Sequence, residues 1–459
     1  MIVDLVNSKW IEKSGYRMDC GPFVKGAFQA RMVVEDLQAP KFLLRDLVSK
    51  TPDGNYKGKM LKRTFVDSQE YGVPFVTTTG LTKFDTSKFP LISTNIAKAD
   101  PNCLLKEKTI QVSAAGTIGR VSMSRIDMVG MFGCSDNIKL NIDEKKVSPE
   151  YVYAFLAGKF GQALVCSGTY GSIIRHLDTK HLDEISIPVL DIEPTITDLI
   201  SQVNKLRYRA SELMSEVRMI VKRELGPIEN GGISSVASSK LIQRRMDSFY
   251  HSEKVVKARD LLSGNSDKTV FDYSEKVFEP NRGARYKVED ESYGVPFISS
   301  SEVFKLNPKG EYFISRTRTP HFENLEIKDT DVLIPRSGQL GGIIGNAVLP
   351  YSSYYGCAGS EHLVRVRCKS QDDAFYLWSI LDSQQGYLAA IGTAFGSSIP
   401  SLDCELIGNI RIPNSLETHR DRIITAVREM VNSLSMAANY ETQAIASLED
   451  AIETAAPKH

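Results

Sequence analysis

The sequence predicts an α+β chain of two similar globules, each followed by a long helix. Three observations carry this prediction: an internal repeat, short strands mixed with helices inside each copy, and two extended amphipathic stretches. Tyr71-Gly72-Val73-Pro74-Phe75 returns as Tyr293-Gly294-Val295-Pro296-Phe297, and Gly116-Thr117-Ile118-Gly119 as Gly338-Gln339-Leu340-Gly341, both displaced by 222 residues. Gly171-Ser172-Ile173-Ile174 with Leu177-Asp178 is echoed by Gly396-Ser397-Ser398-Ile399 with Leu402-Asp403, and Ile187-Pro188 by Ile412-Pro413, displaced by 225. Arg17-Met18-Asp19 has a counterpart in Arg245-Met246-Asp247. A repeat of this length means duplicated domains rather than stacked solenoid units. At 459 residues the chain also exceeds one ordinary hydrophobic core.

In the first copy, Val73-Pro74-Phe75-Val76 and Thr109-Ile110-Gln111-Val112 read as short strands between turn signals. Asn137-Ile138-Lys139-Leu140-Asn141 alternates polar and apolar, as a half-buried strand should. Ser148-Pro149-Glu150 supplies a cap and a first-turn proline for a helix with an apolar face through Tyr153, Leu156 and Phe160. The second copy keeps the order. Asp331-Val332-Leu333-Ile334 precedes the glycine turn, His362-Leu363-Val364-Arg365-Val366 alternates, and a helix carries Phe375, Leu377, Trp378 and Leu381.

Between Ile196 and Leu225, apolar residues at Leu199, Val203, Leu206, Ala210, Leu213, Val217 and Ile220 keep spacings of three and four. A second stripe, from about Leu416 to Thr454, includes Ile423, Val427, Met430, Leu434, Ala437, Ala444, Leu448 and Ile452. Lys205, Arg207, Arg209, Glu212, Glu216, Arg218, Arg422 and Glu429 fall on the opposite faces. Stripes this long with charged flanks predict that the two helices pair as an antiparallel coiled coil. Gly226-Pro227 and Asn230-Gly231-Gly232 stop the first helix. The expected boundaries are a first globule over 1–193, a helix over 194–228, linker and second globule over 229–414, and a second helix over 415–459.

Charge is balanced, with 56 basic and 56 acidic side chains, which argues against a protein that coats DNA non-specifically. A reader with basic groups on one face remains compatible with it. The seven cysteines include no CxxC pair, so a zinc knuckle or thioredoxin-like site is not indicated. No leader or membrane-length apolar run is evident, and a cytoplasmic location is expected.

No catalytic set emerges. None of the seven histidines lies in HExxH, and no GxSxG surrounds a serine. His176 and His181 stand near Asp178 and Asp183, but no further ligand is close in sequence, so no metal site is assigned. The glycine turns match neither GxxxxGK[ST] nor GxGxxG. They are either plain hairpin turns or turns that bear ligand-facing side chains, Thr117 and Gln339 among them. Gly168-Thr169-Tyr170-Gly171-Ser172 and the segment from Gly392 through Ser397 and Ser398 combine flexible backbone, hydroxyls and one aromatic, a mixture suited to phosphate and sugar contact. Tyr170 and Phe395 are equally readable as core plugs. Basic candidates for DNA contact are Lys57, Lys59, Lys62, Arg63, Arg120 and Arg175 in the first copy, and Arg282, Arg285, Arg316, Arg318 and Arg336 in the second. Arginine is favoured for guanine because its fork spans O6 and N7.

The order of these repeated segments resembles the DNA-specificity subunit of Type I restriction–modification systems, over essentially the whole chain after the first dozen residues. The resemblance implies that each globule is a target-recognition domain reading one half of a split, asymmetric sequence in double-stranded DNA. It implies a helical spacer on which two methyltransferase subunits dock, giving the partner-binding set Leu199, Val203, Leu206, Leu213, Val217, Ile423, Val427, Met430, Leu434 and Leu448. S-adenosylmethionine, and ATP with magnesium, would belong to the methyltransferase and restriction (motor) subunits, with no cofactor and no catalysis in this chain. A spacer helix of about thirty residues, about 45 Å long, would place half-site centres about 10–13 bp apart. Ser113-Ala114-Ala115 lacks the arginine that Arg336 supplies in the second copy, leaving Arg120 or Arg175 for that role. Two other classes compete. A self-contained methyltransferase or restriction enzyme would need an Asn/Asp-Pro-Pro-Tyr/Phe segment, which is absent from the sequence. A protein-interaction scaffold would show no DNA-dependent behaviour.

Overall fold

The structure is a computed structural model that describes residues 8–13, 23, 26–167, 176–228, 235, 237–238, 249–264, 266–396 and 398–457. Two compact units divide the chain: Met1–Tyr208 with Met436–His459, and Arg209–Ser435. The division cuts through both long helices, Glu193–Leu225 and Arg420–Ala455, instead of leaving them as elements of their own. Both units mix strands and helices in an α+β manner.

In the first unit the strands run β1 (Lys41–Leu43), β2 (Asn55–Lys57), β3 (Phe65–Val66), β4 (Gly72–Val76), β5 (Leu91–Ser93), β6 (Ile110–Ser113), β7 (Val121–Met123), β8 (Phe132–Gly133), β9 (Asn137–Leu140) and β10 (Ser186–Pro188). One sheet has the order β2-β9-β6-β7 and another β3-β5-β4-β8, in which only β4 and β8 run parallel. The second unit holds β11 (Ser274–Phe278), β12 (Lys287–Val288), β13 (Val295–Ile298), β14 (Phe313–Ile314), β15 (Asp331–Pro335), β16 (Ala358–Gly359) and β17 (Leu363–Cys368). Its sheets, β11-β17-β15 and β12-β14-β13-β16, reproduce the first unit's order, down to the single parallel pair β13–β16. The first unit's β2-β9-β6-β7 sheet has one strand more, β7, than its counterpart β11-β17-β15.

Local chemistry explains the shared helices. Ser148 caps Pro149–Ala157 by accepting from the Tyr151 N–H at 3.1 Å, with Pro149 in the first turn where no N–H is needed. Ser370 does the same for Gln371–Leu381 through the Asp373 N–H at 3.1 Å.

The strands expected to be half-buried are buried on both faces. Lys139 in β9 and Arg365 in β17 point inward. Lys139 Nζ donates to the Cys134 carbonyl at 2.6 Å, and the Arg365 guanidinium donates to the carbonyls of Leu325, Gly359, Ser360 and Leu363. Alternation in the sequence therefore marks polar groups satisfied inside, not groups facing water. Beside them, Thr109 donates to Asn141 at 2.6 Å in the first unit, where the second has Arg367 forked on Asp331 at 2.8 and 2.9 Å.

The apolar stripes of the long helices are consumed by their own units. Ile196, Ile200 and Val203 join Ala437, Ala444, Leu448 and Ile452 in the first unit's main core, with Leu199 and Leu206 packed at its margin. In the second unit Leu213, Val217, Ile423, Val427, Met430 and Leu434 are buried. Each such side chain contributes about 1.5–3 kcal/mol on burial. Arg209 meets Glu429 at 2.8 Å and Arg422 meets Glu216 at 2.6 Å, so these two segments run antiparallel. The ten residues expected to receive a partner are thus core or core-margin side chains, and an outside chain would not reach the buried ones. Arg207, expected on the charged outer face, is buried as well. Its guanidinium forks onto Glu441 at 2.9 and 2.8 Å, and Tyr153 donates to the same carboxylate at 2.6 Å.

Arg207→Ala should destabilise the first unit by about 3–5 kcal/mol, because it strands a buried carboxylate. Arg207→Met with Glu441→Leu should recover most of that loss. Chemical denaturation followed by far-UV circular dichroism checks this, and a double variant as unstable as the single one contradicts it.

Candidate nucleic-acid interface

In both units an arginine just before the outer strand of the sheet of shorter strands (β3-β5-β4-β8 or β12-β14-β13-β16, called the small sheet) lies over the buried phenylalanine of the repeated Tyr-Gly-Val-Pro-Phe segment. Arg63 precedes β3 and sits 5.3 Å from the Phe75 ring centre, while Arg285 precedes β12 and sits 4.4 Å from that of Phe297. Each also meets an acid from the loop that leads into the buried central strand. Arg63 Nη2 is 3.5 Å from Asp136, between β8 and β9, and Arg285 pairs with Glu361, between β16 and β17. Arg285 donates further to Tyr312 Oη at 2.7 Å, and the Tyr312 ring stacks on Phe297 at 4.9 Å. Burial opposes the charge on Arg285, yet its bonds to Tyr312 and Glu361 hold it protonated above its ordinary range. Burial likewise works against ionisation of Glu361, but a backbone N–H and Arg285 keep its carboxyl below the ordinary value of 4.5.

Aromatic surface accompanies these arginines. Tyr71 is 58% and Tyr293 74% exposed, both well above what a strand-flanking tyrosine needs for packing. Thr64, next to Arg63, and Tyr71 accept backbone bonds from the adjacent residues Ser93 and Thr94, so Arg63 and Tyr71 stand at the same end of the sheet.

The glycine turns sit at the far end of β6 and β15. Gly119 and Gly341 share a φ of +86°, a left-handed conformation that a side chain would strain. In the first turn Thr117 is exposed, its carbonyl accepting from Ser113 Oγ at 2.6 Å, and the half-buried Arg120 donates its N–H to Ser113 Oγ at 2.9 Å. Gln339 is exposed in the second turn, and Ser398 on the loop beside it. Gly338 donates to Pro400, and Ser337 Oγ lies 2.9 Å from Ser401 Oγ, so this turn and that loop are brought together. Phe395 is half-exposed, which resolves the choice for that ring in favour of a surface position.

Other expected contacts fare differently. Lys62 is exposed. Arg316 is exposed but bonded to Glu326 at 2.9 Å and to the Gly356 carbonyl at 3.1 Å; Arg318 is exposed. Arg336 is mostly buried and ion-paired with Glu279, so it does not present a free fork as its sequence position suggested. Tyr170, Ser172, Arg175 and Ser397, and both Arg-Met-Asp segments, lie outside the described residues. The Arg–Phe–acid arrangement was missed as a unit. Its signal is in the sequence, since Arg63 and Arg285 are separated by the same 222 residues as the Tyr-Gly-Val-Pro-Phe pair. The acids carry a signal too, since Asp136 and Glu361 are displaced by 225 residues like the Ile-Pro pair, although the register of β8 and β16 makes them neighbouring rather than matching loop positions.

Among the described residues no group of three or more His, Cys, Asp or Glu could hold a metal, and no helix is long and apolar enough to cross a membrane.

Residues 42–209 match the family described as "Type I restriction modification DNA specificity domain". The matched stretch lies almost wholly within the first unit. Solved structures similar to it include the S subunit of a Type I restriction–modification system from M. genitalium, 13% identical over 92% of this chain and 97% of that one, with a TM-score of 0.34. The HsdS subunit from Thermoanaerobacter tengcongensis is 12% identical over 90% and 95%, with a TM-score of 0.27. No curated protein gives a significant sequence match.

Glu361 has a lowered carboxyl pKa, so its stabilising pair is complete above the ordinary value of 4.5 and is lost as pH falls through the lowered one. The stability difference between the native chain and Glu361→Gln should therefore shrink between about pH 6 and pH 3. Urea denaturation at a series of pH values checks this; a constant difference contradicts the pairing.

Proposed function

We propose that this chain is a non-catalytic, sequence-specific DNA-binding subunit that recognises a bipartite, asymmetric site, one half through each unit. It directs adenine methyltransferase subunits, two per chain, and a restriction subunit to that site. One observation carries the reading: the second unit repeats, strand order for strand order, the sheets of the unit whose sequence matches the specificity domain. Similar frameworks with different surface side chains suit reading different bases, because the major groove is distinguished by donors and acceptors rather than by fold. The methyltransferases would engage the outward faces of the long helices, since the inward stripes are occupied.

Selection from a random duplex pool by the chain co-expressed with its methyltransferase should enrich two blocks of preferred bases separated by an indifferent spacer. A single contiguous block of about 4–6 bp would sink the two-reader model. Detectable methyl transfer by the purified chain alone would instead favour the self-contained enzyme.

Arg336→Ala should cost about 1–3 kcal/mol of preference at one or two base pairs of the second half-site and leave the first intact, if Arg336 leaves Glu279 to read a base. Weakening across all sequences, with a flatter salt dependence, would mark a phosphate contact instead. Binding to duplexes altered one half-site at a time, at two salt concentrations, separates these outcomes.

A further inference from the structure

We infer that Arg63 and Arg285 are matching DNA-contacting side chains of the two units, and that Asp136 and Glu361 act as built-in competitors that restrain them from binding DNA of the wrong sequence. This inference rests on the DNA-binding reading above and adds to it a device for discrimination.

Four observations support it. The arginine is placed identically in both units, one residue beyond the strand-flanking position and over the ring of the repeated phenylalanine. An acid reaches it in both, although the acid is drawn from neighbouring rather than matching positions of the loop into the central strand. A change of position with retention of charge indicates that the charge itself is what the site uses. The first pair is accessible, with side-chain exposure of 47% for Arg63 and 30% for Asp136, and in the second Arg285 is 30% exposed beside a buried Glu361 at 10%. An accessible pair such as the first contributes little to folding, so its members can separate without unfolding the unit, whereas separating the second leaves a buried carboxylate and costs more. Finally, Arg285 and Glu361 both line a cleft with His321, Asn324 and one further arginine, Arg282.

The physics of the restraint is simple competition. A free guanidinium at the surface binds any phosphate, which supplies non-specific affinity. A carboxylate beside it must first be left behind, and it then repels the incoming phosphate at close range. Only a duplex whose other contacts place a phosphate or a guanine edge well would repay that exchange. The ring beneath the guanidinium keeps the planar fork oriented during the change of partner. The two units differ in degree. Arg63 has one long contact to its acid, whereas Arg285 has the ion pair, a 2.7 Å bond to Tyr312 and the closer ring. Restraint should therefore be stronger in the second unit.

The test measures binding of the full chain, with its co-expressed methyltransferase, to a fluorescent random-sequence duplex and to a duplex enriched from the selected pool. Glu361→Gln should tighten binding to the random duplex by about threefold to tenfold at low salt, and Asp136→Asn by about twofold. Binding to the selected duplex should change less, so discrimination between the two falls. Arg285→Ala and Arg63→Ala should weaken both and reduce the salt dependence by about one phosphate contact each. Asp136→Asn, at the more exposed of the two acids, keeps the test valid if Glu361→Gln perturbs folding. Unchanged random-duplex binding in both acid variants would overturn the competitor role. Unchanged binding in both arginine variants would overturn the contact itself. If the native chain discriminates no duplex at all, the DNA-binding reading fails first and takes this inference with it.

Discussion

A buried cation in the central strand holds each unit together. Lys139 and Arg365 lie in the middle of their sheets, where an unsatisfied charge would cost several kcal/mol. Both are satisfied by carbonyls of the loop that arrives from the parallel strand of the smaller sheet: Cys134 in one unit, Gly359 and Ser360 in the other. Burial lowers the pKa of Arg365 to about 10, which leaves it charged at neutral pH and keeps the demand for acceptors in force. The approach is close enough that a Cβ at Gly133 or Gly359 would stand 2.8 Å from the cation's side chain. This fastening fixes the course of the loop. The loop in turn carries Asp136 or Glu361 toward the arginine over the small sheet. The inside of each unit thus determines what its surface offers.

The balance of 56 basic and 56 acidic side chains takes on a structural meaning in this light. In the second unit Arg285, Arg316 and Arg336 each meet a carboxylate, from Glu361, Glu326 and Glu279 respectively. Zero net charge here comes from local pairing of groups that could face a polyanion, not from a lack of such groups. The surface carries cations in reserve, and its average field stays small.

Much of the fold was legible because repeated spacing forces repeated backbone. The Tyr-Gly-Val-Pro-Phe segment became β4 and β13, the serine caps began the expected helices, and the glycine turns took their left-handed residues at matching places. The long stripes were legible as helices through their period, but period does not say what covers a stripe. Their residues turned inward because each unit's core had apolar surface for them to cover. Alternation misled for β9 and β17 for a related reason: a polar side chain in a strand looks solvent-facing until the carbonyls that can satisfy it are known. Arg207 was misjudged in the same way, since Glu441 lies far from it in sequence, and the pairing of Arg336 with the distant Glu279 was equally hidden.

The first unit is not one continuous stretch of chain. Its main core takes Ala437, Ala444, Leu448 and Ile452 from the second long helix, together with Glu441 as the acceptor for Arg207 and Tyr153. A ribosome delivers these residues after everything in the second unit has been made. The unit that is translated first therefore cannot complete its core until last, and its nascent form exposes an apolar seam through the synthesis of more than two hundred intervening residues. Loss of the final helix by proteolysis after Ser435 would damage the opposite end of the sequence, leaving the unit next to the cut with its own residues intact.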